Sequence, residues 1–322
     1  MAILPPRQSK TTVDLIYLAY EDEQQEERTY LGCSTFGTEC ERAHWYQFRW
    51  VNPPEQFSGR KLRLFKTGHR EEARMIADLR RADVEVIDIN PDTNEQWGVS
   101  ALGGHLRGHL DGLVLNIPEA PRTTHVLEVK THNDKSYRDL LVNRVKKSKP
   151  GHYRQMHLYM GLTKIDRALY IAHNKNDDSL YVERVKFDRA EFDRLIARAE
   201  RTISASRAPP KLFEDPSSRA AYVCQWCPSK GVCHEGDFAR RNCRTCVDAT
   251  PIIDDTDKAG RWTCDYWKKD LTREEQQRGC PHHVYLPSLV PGKQIDSDAE
   301  QRTVTYQMKN GSIWIDGGKH GL

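Results

Sequence analysis

The sequence lacks the features of a membrane protein or a secreted protein. No apolar run approaches the ~20 residues that a membrane-spanning helix needs, and the first residues, MAILPPRQSKTT, lack the basic, apolar and small-residue zones of a secretory signal. A large net charge is missing too, because 49 Lys and Arg stand against 46 Asp and Glu. These absences predict a soluble intracellular chain. Any case for nucleic-acid binding must therefore rest on local clusters of charge.

The chain is long enough to bury a substantial core. Its 322 residues, 38% of them hydrophobic, correspond to about two domains at ~150 residues each. It contains nine cysteines, and seven of them fall between residues 224 and 280. Because a reducing compartment keeps thiols reduced, we expect these cysteines to be metal ligands or free thiols rather than disulfides.

The apolar pattern predicts a mixed α/β protein in which helices precede the first clear strands. Predicted helices cover residues 11–28, the segment around 45–50, and residues 68–81, 136–149, 153–162 and 189–201. Predicted strands cover residues 109–117, 125–131, 167–173 and 179–187, the first two as an antiparallel hairpin. The buried stripe of the helix over 68–81 is predicted at Ala73, Ile76, Ala77 and Leu79. Asn310-Gly311 predicts a terminal β-hairpin.

Two carboxylates and a lysine are the strongest chemical pattern. Glu128 and Lys130 are two residues apart on the strand HVLEVKT, so both side chains point to one face. The preceding strand brings Asp111 into the neighbouring ladder, where cross-strand partners are close. One divalent cation could bridge both carboxylates, and the lysine could orient an attacking water. This apparatus suits phosphodiester hydrolysis. The alternative is a solvated hairpin face with surface ion pairs of little energetic value.

These motifs resemble the PD-(D/E)XK nuclease superfamily, and in particular its RecB-like branch. GHLDG contains Asp111, LEVK contains Glu128 and Lys130, and the QxxxY motif matches Gln155 and Tyr159. The resemblance covers about residues 31–240. It implies a restriction-endonuclease-like core, with a mixed central sheet flanked by helices, and Mg²⁺ or Mn²⁺ held by Asp111, Glu128 and the Val129 carbonyl. Lys130 would position the water, and Gln155 with Tyr159 would orient the nucleic acid.

The family also places a metal-facing His or Glu on a helix upstream of these strands. His69 and Glu72, within TGHREEAR, both match this position. His69 resembles the histidine of RecB-like and CRISPR-associated iron–sulfur exonucleases, whereas Glu72 resembles the phage recombination exonucleases. The sequence leaves both open as metal ligands. His105 and His109 are further candidates, and each is also explained as a strand-end residue.

The cysteines form two sets. Cys224-x2-Cys227-x5-Cys233 forms a compact loop with three thiolates, so a metal centre there needs a fourth ligand. The family resemblance implies that this ligand is Cys40. In iron–sulfur members such a set holds a [4Fe–4S] cluster, which would tie residue 40 to the segment after 224 as a structural staple. Zinc is the alternative, because C-x2-C spacing suits Zn²⁺ equally well.

The second set predicts a structural zinc site. Cys243-x2-Cys246, Cys264 and Cys280 supply four thiolates, and a histidine of the pair His282 and His283 could replace one of them. Cys33 is predicted to be a free thiol. The resulting domains are an accessory helix over 1–30, a nuclease core closed by the first cysteine set over 31–240, and a zinc module with the terminal hairpin over 241–322.

A basic segment follows the predicted catalytic strand. Residues 130–154 carry eight Lys or Arg against two Asp, and tyrosines interleave with the charge. Such a segment can bind phosphates and stack on exposed bases, although a solvated lysine-rich helix has the same composition. The predicted DNA-binding residues are Arg144, Lys146, Lys147, Lys149, Tyr153 and Arg154.

Together these patterns predict a Mg²⁺- or Mn²⁺-dependent deoxyribonuclease, an exonuclease acting on DNA with a free or single-stranded end. The sequence lacks the helicase motif G-x-x-x-x-G-K-[ST]. The chain therefore resembles stand-alone phage recombination or CRISPR-associated nucleases, with a possible recombinase partner and a cytoplasmic location, in the host if phage-encoded. The alternative is a non-catalytic DNA-binding or scaffold protein on the same fold. Digestion polarity, DNA or RNA preference and oligomeric state are left open.

Overall fold

The computed structural model of the protein describes residues 10–23, 26–254, 256 and 258–318. The α-helices are α1 (Thr12–Glu21), α2 (Glu41–Phe48), α3 (Gly59–Arg81), α4 (Asp134–Ser148), α5 (Pro150–Thr163), α6 (Arg189–Ser204), α7 (Tyr222–Gln225) and α8 (Arg273–Arg278). The strands are β1 (Leu31–Gly32), β2 (Glu85–Ile87), β3 (Ile89–Asn90), β4 (Glu95–Gln96), β5 (Gly98–Ala101), β6 (Leu106–His109), β7 (Gly112–Leu115), β8 (His125–His132), β9 (Arg167–Asn174), β10 (Leu180–Lys186), β11 (Ala249–Pro251), β12 (Trp262–Cys264), β13 (Lys269–Asp270), β14 (Gly292–Asp298), β15 (Thr303–Met308) and β16 (Ile313–Gly317). Within the described residues, no helix is both long and apolar enough to cross a bilayer.

A five-stranded mixed sheet organises the molecule. Its strand order is β10-β9-β8-β7-β2. β8 and β9 run parallel, with helices α4 and α5 in the connection between them, and the other neighbours are antiparallel. Parallel neighbours need such a crossover connection, so the chain order β8-α4-α5-β9 accounts for the one parallel pair in this sheet.

Alternation along β8 divides the core into two sides. Leu127 and Val129 pack in a cluster with Met75 and Ile76 of α3. Val126, one residue away, belongs to the larger cluster that contains residues of α4, α5 and α6. Because successive side chains of a strand point to opposite faces, Glu128 and Lys130 share the face of Val126, which α5 covers. The mixed α/β fold with helices on both faces is therefore confirmed.

The C-terminal part, residues 241–254, 256 and 258–318, packs against this core. Cys243, Trp262 and Cys264 belong to the same hydrophobic cluster as the residues of α5. The sheet β14-β15-β16 packs through Tyr306 against Trp45 and Tyr46 of α2. The terminal hairpin predicted at Asn310-Gly311 is confirmed as β15 and β16, and β14 adds a third strand.

One predicted strand was wrong. Residues 109–117 are not a single strand, because β6 ends at His109 and β7 begins at Gly112 in a different sheet. Gly112 has φ +152°, a conformation that is costly for any other residue, and this lets the chain leave one sheet and enter the next. Asp111 therefore lies in a two-residue break rather than inside a ladder. The predicted antiparallel pairing with β8 is confirmed for β7.

Three predicted helices differ from the structure in extent. The helix predicted over 68–81 begins nine residues earlier as α3, and its buried residues near the core are Met75 and Ile76, whereas Ala73 and Ala77 are exposed. The helix predicted to start near Tyr153 begins at Pro150, which is favourable at a first helical position because it has no N–H to satisfy. The N-terminal helix, predicted over residues 11–28, begins at Thr12 but ends at Glu21, well before residue 28.

Candidate active site

Glu128 is the most deeply buried ionisable residue of the site. Its side chain is fully buried on β8 and forms an ion pair with the Lys130 ammonium. Among the described residues, neither carboxylate oxygen accepts a hydrogen bond beyond this pairing. Burial raises the pKa of Glu128 to about 7, opposed by Lys130 and reinforced by Asp111. An acidic side chain that is buried and so poorly satisfied is ready to bind a cation.

Asp111 is held against the same strand by a backbone hydrogen bond. The N–H of Val129 donates to Asp111 Oδ2 at 2.7 Å. Burial raises the pKa of Asp111, whereas Lys130, this hydrogen bond and His69 lower it. The geometry therefore brings both carboxylates and the lysine into one electrostatically coupled group.

Lys130 lies at the centre of this group. Its Nζ donates to the Val129 carbonyl at 3.1 Å in addition to pairing with Glu128. Burial lowers the pKa of Lys130, but Glu128 and Asp111 together outweigh burial and raise it. Lys130 is therefore an ammonium at neutral pH and serves as a donor rather than a base.

Helix α3 brings both upstream candidates to this group, at its exposed edge. Glu72 is partly buried, and burial together with Asp111 raises its pKa to about 7, while Lys130 lowers it. His69 is exposed one turn earlier, close enough for its charge to act on Asp111. Glu72 thus lies among the buried carboxylates, and His69 at their rim. His105 instead packs between Phe48 and Trp262, and His109 is exposed at the end of β6.

Gln155 and Tyr159 cover the carboxylate face from α5. Both are buried, and Gln155 Nε2 donates to the Tyr159 hydroxyl at 3.0 Å. Burial raises the pKa of Tyr159 far above its ordinary range, with a further contribution from Glu128. Gly108 makes room for this ring, since a Cβ there would lie 2.5 Å from Tyr159 Cε1 and 2.9 Å from Cys33 Sγ. Cys33 is a buried free thiol.

Sequence reasoning missed a polar cluster beside Lys130. The Tyr170 hydroxyl lies 2.9 Å from His132 Nε2 and 2.8 Å from His152 Nδ1. Burial lowers the pKa of both histidines, to about 4 and about 3, and Lys130 contributes to each shift. The cluster is therefore neutral. The period of two on β8 places His132 on the face of Glu128 and Lys130, and this signal could have identified it.

The donor set of the site matches a hard divalent cation. Carboxylate oxygens of Asp111, Glu128 and Glu72, together with the Val129 carbonyl, are the ligands that Mg²⁺ prefers, with waters completing its shell. The poorly satisfied oxygens of Glu128 fit this role. In the described part of the chain, however, no three His, Cys, Asp or Glu side chains are already arranged to hold a metal ion.

The two cysteine sets lie in separate places. Cys40 immediately precedes α2 and is near enough to Cys224, Cys227 and Cys233 to contribute to the pKa values of their thiols, which are raised mainly by burial. The second set lines one cavity of about 400 Å³. Its members are Cys243, Cys246, Cys264 and Cys280, and His282 and His283 line the same cavity. Of these two histidines, His283 is buried and His282 is exposed.

The predicted basic segment is largely engaged within the protein. Arg154 pairs with Glu39 at 2.6 Å, and Lys149 lies 3.4 Å from Asp139. Arg144 has φ +60°, which breaks α4, and it pairs with Glu183. Lys146 and Lys147 are exposed, with the Lys146 ammonium 5.2 Å from the centre of the Tyr153 ring.

A family model described as the PD-(D/E)XK nuclease superfamily matches residues 14–234. No curated protein matches the chain. The crystal structure of SSO0001 is 13% identical, with a TM-score of 0.40, over 70% of this chain and 96% of that chain. An alkaline exonuclease (LHK-Exo) from Laribacter hongkongensis is 12% identical, with a TM-score of 0.39, over 57% of this chain and 90% of that chain. LHK-Exo in complex with dAMP is 12% identical, with a TM-score of 0.34, over 59% and 90%. Because the family match spans well over half of its length, the chain belongs to the PD-(D/E)XK nuclease superfamily.

Proposed function

We propose that this protein is a metal-dependent DNA exonuclease. The observation that carries the proposal is the fully buried Glu128, whose carboxylate is electrostatically coupled to Asp111 and, among the described residues, is paired only with Lys130. Burying such a group costs free energy unless a charge compensates it, so a protein that needed only stability would gain from an apolar residue here.

Asp111, Glu128, the Val129 carbonyl and either Glu72 or His69 would hold Mg²⁺ or Mn²⁺. When bound, such an ion stabilises negative charge on the phosphodiester and lowers the pKa of a water molecule. Lys130 would hold the attacking water and the scissile phosphate by donating hydrogen bonds. Gln155 and Tyr159 would orient the strand from α5.

The cysteines would bind two further metal centres. Cys40, Cys224, Cys227 and Cys233 would hold a [4Fe–4S] cluster, with Zn²⁺ as the alternative. Cys243, Cys246, Cys264 and Cys280 would hold a structural Zn²⁺, and their common cavity supports this set. Metal analysis of protein purified without oxygen separates these outcomes, because iron with inorganic sulfide and a brown colour indicates the cluster.

The remaining features of the proposal come from the sequence. They are a three-part organisation (1–30, 31–240 and 241–322), a role in phage-type recombination, repair or DNA processing, a recombinase partner and a cytoplasmic location. Lys146 and Lys147 are the exposed members of the predicted DNA-binding segment that are available to phosphates. Arg144, Lys149 and Arg154 would have to exchange an internal carboxylate for a phosphate.

The decisive experiment is digestion of end-labelled linear DNA and covalently closed circular DNA, with and without added Mn²⁺. We expect Mn²⁺-dependent release of nucleotides from the linear DNA and none from the circle. Asp111→Ala and Lys130→Ala should abolish this release, whereas Asp92→Ala and Lys186→Ala, at exposed positions, should retain it. Cleavage of the circle would indicate an endonuclease. Intact DNA under every condition would favour the alternative, a DNA-binding scaffold on a nuclease fold.

A further inference from the structure

Three aromatic rings meet at the mouth of the cavity that the second cysteine set lines. Tyr266 stacks on His282 with ring centres 4.7 Å apart and planes inclined by 23°. Trp267 lies nearly perpendicular to both rings, 4.9 Å from Tyr266 and 5.4 Å from His282. Tyr266, Trp267 and His282, the aromatic cluster, form a preorganised group rather than scattered surface side chains.

The cluster is held in place from behind. The guanidinium carbon of Arg302 lies 4.3 Å from the centre of the Tyr266 ring, and Arg302 itself pairs with Asp248 at 2.5 Å. The backbone N–H of Trp267 donates to Cys264 Sγ at 3.5 Å, which fixes the turn between β12 and β13. These contacts fix the rings before any ligand arrives, so binding costs little side-chain entropy.

One ring of the cluster is available to a ligand. The Trp267 side chain is 50% exposed, and within the described residues no ring stacks parallel to it. His282 is exposed as well. A planar aromatic ligand could therefore lie on the indole of Trp267.

The charges around the cluster favour an anionic ligand. Lys268, on the same turn, and Arg278, at the end of α8, are exposed and have no ion pair within the described chain. The carboxylates of Asp248 and Glu275 at the cavity wall are already paired with Arg302 and Lys269. Asp265 is exposed and opposes the two free cations. A flat π surface flanked by unpaired cations matches a base and its neighbouring phosphates.

We propose that the aromatic cluster binds single-stranded DNA by stacking an unpaired base on Trp267, with phosphates near Lys268 and Arg278. The proposal rests on the proposed function in one respect only, namely that DNA is the ligand of this protein. The C-terminal part contacts the segment that leads to Asp111, since Arg107 and His105 donate hydrogen bonds to the carbonyls of Lys258 and Arg261. A strand bound at the cluster would therefore be carried on a part of the protein fixed to the nuclease core.

The test is fluorescence anisotropy of labelled oligo(dT) with the Asp111→Asn protein, which should bind without digesting it. Adding Trp267→Ala should weaken binding by about tenfold, equivalent to about 1.4 kcal/mol, because a base stacked on an aromatic ring contributes about 1–3 kcal/mol. Trp267→Phe should retain most of the affinity. Trp226→Ala is the matched control, because Trp226 is 75% exposed yet makes no described ring or cation contact.

Two results would overturn the proposal. One is an oligo(dT) affinity that Trp267→Ala leaves unchanged, in a protein whose melting temperature is also unchanged. This result is expected if the aromatic cluster binds another protein instead of DNA. The other is equal weakening by Trp226→Ala, which would indicate a general loss of surface area. Anisotropy needs no cleavage, so failure here with Mn²⁺-dependent digestion intact leaves the nuclease proposal standing, and the reverse result leaves the stacking site standing.

Discussion

The backbone N–H of Val129 donates a 2.7 Å hydrogen bond to Asp111 Oδ2. This bond joins the break between β6 and β7 to the middle of β8, and it fixes one carboxylate beside the strand that carries the other. Asp111 therefore has two separable properties, its charge and its capacity to accept this hydrogen bond.

Asparagine and alanine at position 111 should separate these two properties. Asp111→Asn keeps an acceptor for the Val129 N–H, whereas Asp111→Ala leaves a buried donor unpaired, at a cost of about 1–3 kcal/mol. Both variants lose the charge, and nuclease activity should fall at least about 100-fold in each. Urea unfolding and digestion of linear DNA measure the two effects. Equal stability of the two variants would show that the hydrogen bond contributes nothing to folding.

Gly108 is required because no other residue leaves space for Tyr159. A Cβ at this position would lie 2.5 Å from Tyr159 Cε1, so Gly108→Ala should overpack the core and cost about 1–3 kcal/mol. Displacing Tyr159 should also lower activity. The matched control is Gly68→Ala, since a Cβ there meets no atom of the described residues within 4 Å and alanine favours a helix by about 1 kcal/mol. A Gly108→Ala protein as stable as the wild type would contradict this account of the packing.

The local pattern of apolar residues was enough to predict many of the helices and strands. The apolar runs of β9 and β10 and the charged helix α6 lie within a few residues of their predicted bounds, because each is a regular element with a clear start. The alternation on β8 correctly separates Glu128 and Lys130 from Leu127 and Val129. That alternation predicts the shared face of Glu128 and Lys130, whereas Asp111 reaches them from the break before β7 by accepting the Val129 N–H. The catalytic roles of these three residues stay predictions.

Long-range contacts explain what the sequence did not reveal. The break at Leu110-Asp111 depends on the partners of Leu110, whose N–H donates to the Trp97 carbonyl, and no local signal encodes this. In the predicted basic segment, Arg154 and Arg144 form ion pairs with Glu39 and Glu183. Both glutamates are distant in sequence, so the segment alone does not reveal these pairs. Of the predicted stripe of α3, Ile76 and Leu79 do pack in the core, but Met75 faces the sheet in place of Ala73 and Ala77.

The pKa values of the carboxylates predict how stability varies with pH when no divalent cation is added. Burial raises the pKa of Glu72 from its ordinary value of 4.5 to about 7. The folded state therefore binds more protons than the unfolded state between these values, and the associated stability is present at low pH and lost as pH rises through about 7. The pKa of Glu128 is raised as well, so its contribution to stability is also lost as pH rises.

We therefore expect the melting temperature of the cation-free protein to fall between about pH 4.5 and about pH 7 through this contribution. Glu72→Gln removes one of the titrating groups, so its melting temperature should depend less on pH than that of the wild type. Glu95→Gln, at an exposed position, serves as the control. Identical pH dependence in the Glu72→Gln and wild-type proteins would contradict the raised pKa of Glu72.

A buried arginine joins the C-terminal part to the nuclease core. The guanidinium carbon of Arg244 lies 3.7 Å from the centre of the Trp50 ring and 4.8 Å from that of Trp262. Its Nη1 donates to the Phe48 carbonyl and its Nε to Gln276 Oε1, both at 2.9 Å. Burial lowers the pKa of Arg244 to about 9, so the group still carries its proton at neutral pH.

Arg244→Ala should therefore be among the most destabilising substitutions at a buried position in the protein. It leaves a cavity between two indoles and removes the donors of a buried carbonyl and a buried amide, so the free energy of unfolding should fall by about 3 kcal/mol or more. Arg244→Lys keeps the charge but not the planar stack, and should lose less. Arg278→Ala, at an exposed arginine, should change stability by no more than about 0.5 kcal/mol. Urea unfolding measures all three, and an Arg244→Ala protein as stable as Arg278→Ala would mean that the C-terminal part is held to the core by other contacts.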